Sequence, residues 1–288
     1  MKITYLGPSG TTFSALAYVK LAELFGAPGL VDGEESLAGT NEEVLSLVIE
    51  HGGWGVVAME TMAEGRVEGP VNSFLRLLDC HQTAETCRTK IVGAIEMPIN
   101  FALMAQSGVA IRDIDTVVTH IKSFGACKNK IQALGAKFVE SSSNGQAALD
   151  VANKPTFAKA AALAPKTAAS KYGLQILEEA FEDRLAVTTF FLLGPKINPP
   201  VSLGKVYRSM LVSRFKNRPG SLVEVLIPFA TARINLRHVR DYYTGGGQYD
   251  FVCQFDCHGD QVVDHARAMG EASKHMERHI LFGPFPVV

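Results

Sequence analysis

The chain has 288 residues, of which 47% are hydrophobic and 20% charged, and its formal net charge is −1. That length suits about two domains at ~100–200 residues each, and the near-neutral balance excludes a basic field for nucleic acid or an anionic membrane. No apolar run approaches the ~20 residues that span a bilayer. The opening MKITYLGPSG lacks the apolar core and cleavage site of a signal peptide, so a cytoplasmic location is expected.

Residues 1–195 alternate strand and helix signals, the pattern of an α/β domain. Ile3–Leu6 reads as a strand, followed by a tight loop at Gly7, Pro8 and Gly10, then a helix over Phe13–Phe25 with apolar residues at helical spacing. A helix over Asn41–Ile49, with Asn41 as its cap, precedes a buried strand at Gly55–Met59. Strands are predicted at Ile91–Glu96, Thr116–Thr119, Lys137–Val139 and Ala160–Ala164. Pro165 suits the first turn of a helix that stops at Gly173. The last strand of this part is Thr188–Leu193. Residues 196–204, rich in proline, read as a linker. Beyond it the pattern is strand 206–215, helix 220–232, strand 234–243, strand 248–256, helix 260–274, strand 278–282. That is the ferredoxin-like βαββαβ order, with Gly245–Gly247 turning the central hairpin.

The cysteines are Cys80, Cys87, Cys127, Cys253 and Cys257, an odd set at irregular spacing that argues against a disulfide framework. Cys253 and Cys257 share one face of a strand, but without a second cluster buried thiols are the better reading than zinc.

Four polar clusters sit at ends of predicted strands, where ligands bind in open α/β sheets. Gly7–Thr12 opens a helix, so its amides and hydroxyls suit a carboxylate, although on this segment alone a plain strand-to-helix turn is the better reading. Glu60–Gly65 offers an acid at the end of a buried strand, against the alternative of a solvated loop carboxylate. Thr119–Ser123 carries His120 and Lys122, and a lone histidine there is more often structural. Thr188–Thr189–Phe190 holds threonines that by themselves are ordinary strand formers. There is no nucleophile elbow, no P-loop and no paired-histidine metal spacing. The chemistry alone indicates a binder or enzyme for a small anion.

The order of the motifs carries a resemblance to prephenate dehydratases across the whole chain. YLGPSGTTFS at 5–14 resembles their YLGPxGTFS, and Glu35-Ser36-Leu37 their Glu-Ser-Ile. GVVAMETMAEG at 55–65 resembles GVVPIENSxEG, and VVTHIKSFGACKNKI at 117–131 resembles VxSHPQALxQCxxxL. Ser143–Ala148 resembles STAxAA, AALAPKTAASKYGLQILEEAFED at 161–183 resembles AAIASxxAAxxYGLxIL, and VTTFFLLG at 187–194 resembles NxTRFxxxG. NRPGSLVEVLIPFATARINL at 217–236 resembles the ACT-domain NxPGALxxxLxxFAxxxINL.

The resemblance implies an α/β fold: a two-lobed, periplasmic-binding-protein-like catalytic domain followed by a ferredoxin-like βαββαβ ACT regulatory domain. The expected lobes are about 1–98 with 179–195, and about 99–178, and the ACT domain is 205–288. It implies a lyase that converts prephenate to phenylpyruvate in phenylalanine biosynthesis, with no cofactor and no metal. Thr188 and Glu60 are implied as catalytic residues, Thr188 serving the departing hydroxide. Thr11, Thr12, Ser14, Thr61, His120, Lys122, Ser143, Asn144, Thr189 and Phe190 are implied to bind the substrate dianion. Asn217, Pro219, Gly220, Ser221 and Leu222 are implied to bind an amino-acid effector, and ACT contacts imply a homodimer or homotetramer.

Several positions depart from the family pattern. Its Arg of Thr-Arg-Phe is Thr189, so a fixed cation is missing there, and Lys122 is the candidate replacement. Its Asn and Ser of Glu-Asn-Ser are Thr61 and Met62, and its Pro and Gln of His-Pro-Gln are Ile121 and Lys122. Its Thr of Ser-Thr is Asn144. The ACT Glu-Ser-Arg-Pro aligns with Arg240-Asp241-Tyr242-Tyr243, which predicts altered phenylalanine feedback. Two alternatives therefore stand beside the dehydratase: a non-aromatising prephenate decarboxylase, and a non-catalytic small-molecule sensor.

Overall fold

The computed structural model describes residues 1–61, 65–66, 68–80, 87–197 and 206–288. Most of the expected linker at 196–204 lies outside the described residues, as does Met62.

The first third of the chain builds β1 (Lys2–Leu6), α1 (Phe13–Phe25), β2 (Glu34–Ala38), α2 (Asn41–His51), β3 (Trp54–Thr61), β4 (Gly65–Arg66), α3 (Glu68–Asp79) and β5 (Lys90–Ile99). Helix α1 starts on Thr12, whose hydroxyl accepts from the Ala15 amide, and stops at Gly26 in the left-handed region that glycine adopts without penalty. The chain then leaves this sheet for a second one. There it forms β6 (Ala102–Ala105), β7 (Thr116–Thr119), α4 (Ile121–Ala126), α5 (Lys128–Ala133), β8 (Lys137–Glu140), α6 (Asn144–Asn153), β9 (Ala160–Ala164), α7 (Lys166–Tyr172) and β10 (Gln175–Glu178). It returns as β11 (Ala186–Gly194). The remainder is β12 (Val206–Phe215), α8 (Ser221–Thr231), β13 (Asn235–Gly245), β14 (Gln248–His258), α9 (Val262–Ala272) and β15 (Met276–Val287).

The second sheet has the order β10-β6-β9-β7-β8. The first runs β13-β14-β12-β15-β5-β11-β3-β1-β2, with β4 beside β3. The ferredoxin-like unit therefore continues the first sheet, because β15 meets β5 in parallel at Val287 and Ala94. A hydrophobic core seals that junction. Phe74 of α3 stacks edge-on against Phe282 at 5.1 Å, and Phe191 against Phe285 at 5.2 Å. A separate core between α8, α9 and their sheet encloses Cys253 and Cys257. No helix among the described residues is long and apolar enough to cross a membrane.

Candidate active site

The cavity that matters lies between the two sheets. It measures about 490 Å³ and draws its lining from both.

Its position follows from the winding. Four helices follow parallel strands: α1 after β1, α2 after β2, α4 after β7 and α6 after β8. In open α/β sheets the carboxyl ends of strands, and so the helix N-termini after them, face the ligand crevice. All four N-termini reach this cavity, at Thr12–Ser14, Thr40–Glu42, His120–Ser123 and Ser142–Asn144. The dipoles at such N-termini favour an anion. Lys122 adds a cation, while the Glu42 carboxylate is ion-paired with Arg76. Apolar side chains share the lining, with Phe13, Ile99, Phe101 and Phe190 offering a bed for a ring.

The capping groups are already engaged. Thr12 donates to the Leu6 carbonyl at 2.7 Å and accepts from the Ala15 amide at 3.1 Å. Ser143 accepts from the Gln146 amide at 3.1 Å and donates across the cleft to the Gly7 carbonyl at 3.0 Å. The Asn144 amide donates to Thr119 Oγ1, Ser123 Oγ and the Leu163 carbonyl at 2.8–3.0 Å. These residues shape the site rather than offer free donors. His120 Nδ1 accepts from the Lys122 amide at 3.3 Å, which leaves the ring proton on Nε2. Burial, more than its charged neighbours, pushes the His120 pKa down, so the ring is a neutral donor at neutral pH.

Thr188 is different. It sits on β11 opposite Thr61, is 6% exposed, and lines the cavity. Its hydroxyl has no partner among the described residues, and the Ser14 hydroxyl is in the same state. Thr61, His120, Lys122, Ser143, Asn144 and Phe190 join them on the lining, as does Thr12.

Three expected residues do not reach it. Thr189 faces away, because side chains alternate along β11 and Thr188 and Phe190 take the cavity side. Glu60 is turned out by a bulge. The β3–β11 register skips Met59, so Ala58 and Thr61 line the cavity while Glu60 faces Arg237 at 3.8 Å. Strict alternation from Ala58 would have brought Glu60 in. Thr11 is buried beside the cleft, bonded to the Pro8 carbonyl at 3.2 Å and lying 3.3 Å from the Tyr172 hydroxyl. Conversely, Thr40, Asn41 and Phe101 were missed, and Ser123 was read only as the end of the Thr119–Ser123 cluster; the cap expected at Asn41 was a clue to the second helix terminus.

The loop before α1 is clamped from both sides. Tyr5 and Ser9 donate to the two Glu35 oxygens at 2.5 and 2.7 Å, and these bonds hold the Glu35 carboxyl below the usual range. From the other sheet, Lys171 donates to the Ser9 carbonyl at 2.7 Å.

A second cavity of about 280 Å³ lies in the ferredoxin-like unit. Asn217, Gly220, Ser221 and Leu222 line it, with Gly247, Gln248 and Tyr249 from the hairpin; Pro219 does not. Tyr242 and Tyr243 are also absent from its lining. Tyr242 packs on the junction core instead, and Tyr243 contacts Tyr249 at 5.3 Å.

Fold and cavity define a two-sheet α/β clamp with a ferredoxin-like unit built onto one sheet. The family model for prephenate dehydratase matches residues 3–198. The bifunctional chorismate mutase/prephenate dehydratase of Stutzerimonas stutzeri is 30% identical over 262 residues, covering 90% of this chain and 66% of that protein. The prephenate dehydratase of Corynebacterium glutamicum is 29% identical over 294 residues, covering 99% of this chain and 87% of that one. The solved structure of Arthrobacter aurescens prephenate dehydratase in complex with L-Phe superimposes with a TM-score of 0.75 at 25% identity, covering 97% and 89%. This chain belongs to the prephenate dehydratase family.

Proposed function

We propose that this chain converts prephenate to phenylpyruvate. The carrying observation is the unspent Thr188 hydroxyl, held inside a cavity ringed by helix N-termini. The carboxylates bind at those N-termini and at Lys122, and the ring lies against Phe13, Phe101 and Phe190. Breaking the carbon–carboxylate bond releases CO2 and pushes its electron pair into the ring. The ring then expels hydroxide, and aromatisation drives both events. The site's work is to position the dianion and to stabilise charge on the departing oxygen, to which Thr188 donates.

In this reading residues 1–98 with 179–195 form one lobe, 99–178 the other, and 205–288 an ACT domain. The 280 Å³ cavity takes an amino-acid effector; the Arthrobacter relative was solved in complex with L-Phe. The exposed edge strand β13 supports assembly as a homodimer or homotetramer.

A non-aromatising decarboxylase is the second reading. It is favoured by Thr61, Ile121 and Lys122, three cavity residues that differ from the family pattern. Incubation with prephenate under an ultraviolet spectrometer separates the outcomes. Phenylpyruvate supports the first reading, a dihydro-hydroxyphenylpyruvate the second, and binding without turnover a sensor.

A further inference from the structure

Behind the cavity, on the other face of β11, lies a charged cluster built by two parts of the chain. Thr189 stands in register with Glu60 on β3 and with Glu96 on β5. Both carboxylates meet guanidinium groups of the ferredoxin-like unit. Arg208 Nη2 is 3.1 Å from Glu96 Oε1, Arg237 Nη2 is 3.3 Å from the same oxygen, and Arg237 Nε is 3.8 Å from Glu60 Oε2. Asp256 braces both arginines, at 2.7 Å from Arg208 Nε and 3.6 Å from Arg237 Nη1. Arg208 is buried, so its pairs are screened less than a surface pair, while Arg237 is part-exposed. Beside it the backbone is joined as well: Val288 donates to the Ala94 carbonyl at 3.0 Å and accepts from the Glu96 amide at 2.9 Å.

We propose that Arg237 is a positioning residue for the reaction: through Glu60 and Glu96 it sets the strands on either side of Thr188, and so ties the cavity to the state of the ferredoxin-like unit. The next residue after each acid carries the argument. Thr61 follows Glu60, Met97 follows Glu96, and both pair with Thr188. Without Arg237, Glu96 keeps Arg208, but the one cation that ties Glu60 on β3 to Glu96 on β5 is gone, and β3 shifts against β11. Arg237 belongs to β13, which turns through Gly245 into β14, whose Gln248 and Tyr249 line the 280 Å³ cavity. One hairpin therefore touches both sites. Adjacency is not coupling, so the test must measure coupling.

The inference rests on the prephenate reading, and the experiment keeps the two apart. With prephenate as substrate, Arg237→Met should lower kcat on the order of tenfold while KM changes by less than about twofold. Arg237→Lys should recover most of the loss. Glu60→Gln should lower kcat too, and the double variant should be no worse than Arg237→Met, because both remove one interaction. Threonine-methyl NMR supplies the readout that needs no turnover. In Arg237→Met the Thr188 and Thr61 signals should shift, and that of Thr167, in the other sheet's helix α7, should stay. Wild-type kcat in Arg237→Met, or losses that multiply in the double variant, would overturn the proposal. If the wild type does not consume prephenate, the prephenate reading fails, and an unmoved Thr188 methyl would then sink this one as well.

Discussion

Thr188→Val isolates the one group on which the proposed chemistry turns. The substitution exchanges a hydroxyl for a methyl of nearly equal size at a site 6% exposed. No described residue bonds to that hydroxyl, so no partner is orphaned. The ladders from Thr188 to Thr61 and Met97 run through the backbone and are untouched, and valine suits a strand as well as threonine does. Folding free energy should therefore change by less than ~1 kcal/mol, which is under ~4 °C in Tm for a chain of this size. The transition state is affected far more. A donor aimed at developing negative charge gains strength as the carbon–oxygen bond breaks, and removing one such donor costs ~2.7–4 kcal/mol, or ~10²–10³-fold in kcat. KM should stay within about threefold, since the contact is weak in the ground state. Initial rates of phenylpyruvate formation, paired with a thermal melt, measure both quantities. Full turnover in Thr188→Val refutes the mechanism. A drop of more than ~8 °C in Tm would show that the hydroxyl holds structure, so the rate loss would carry no mechanistic meaning.

Lys122→Met removes the cation from the cavity wall and should raise KM by ~10–100-fold, the worth of a charged hydrogen bond, with kcat within about threefold; an unchanged KM places the substrate carboxylates elsewhere. Gly145→Ala would place a Cβ 2.6 Å from Thr11 Oγ1 and 2.9 Å from Pro8 Cδ, where the two halves of the clamp touch. Such a wedge costs ~1–2 kcal/mol, and if opening relieves it KM rises by about 5–30-fold with little change in Tm; a lower Tm at constant KM would contradict this. His265 is buried with Ser209 Oγ 2.7 Å from its Nε2, and burial lowers its pKa, as it does that of His279. The unfolded chain then takes up protons that the folded chain refuses, so stability is full above the ordinary histidine value of ~6.5 and is lost as pH falls below it. Urea midpoints from about pH 8 down to about pH 5 should decline, and His265→Gln should flatten the slope; a rising midpoint would reverse the sign.

Local chemistry was enough for many elements. The apolar spacing and the glycine stop define α1 at Phe13–Phe25, and Pro165 and Gly173 bracket α7, because periodicity and caps act within a few residues. The C-terminal βαββαβ order was legible for the same reason. Alternation along β11 puts Thr188 and Phe190 on one face and Thr189 on the other, against the expectation that all three meet the substrate. The cap of α2 is Thr40 rather than Asn41, a shift of one residue that local rules do not resolve.

Tertiary contacts decided the rest. Strand β15 runs to Val287, well past the predicted 282, because β12 pairs with it as far as Val206 and β5 meets it at Val287, despite Pro284 and Pro286. Glu60 leaves the cavity because the bulge at Met59 answers the β11 register, and nothing near Glu60 in sequence announces it. Arg208 and Arg237 reach Glu96 and Glu60 from the far end of the chain. Sequence determines which side chains exist and which local backbone they prefer. Which carboxylate faces a ligand and which faces a guanidinium is set only when strands distant in the chain pair in one register.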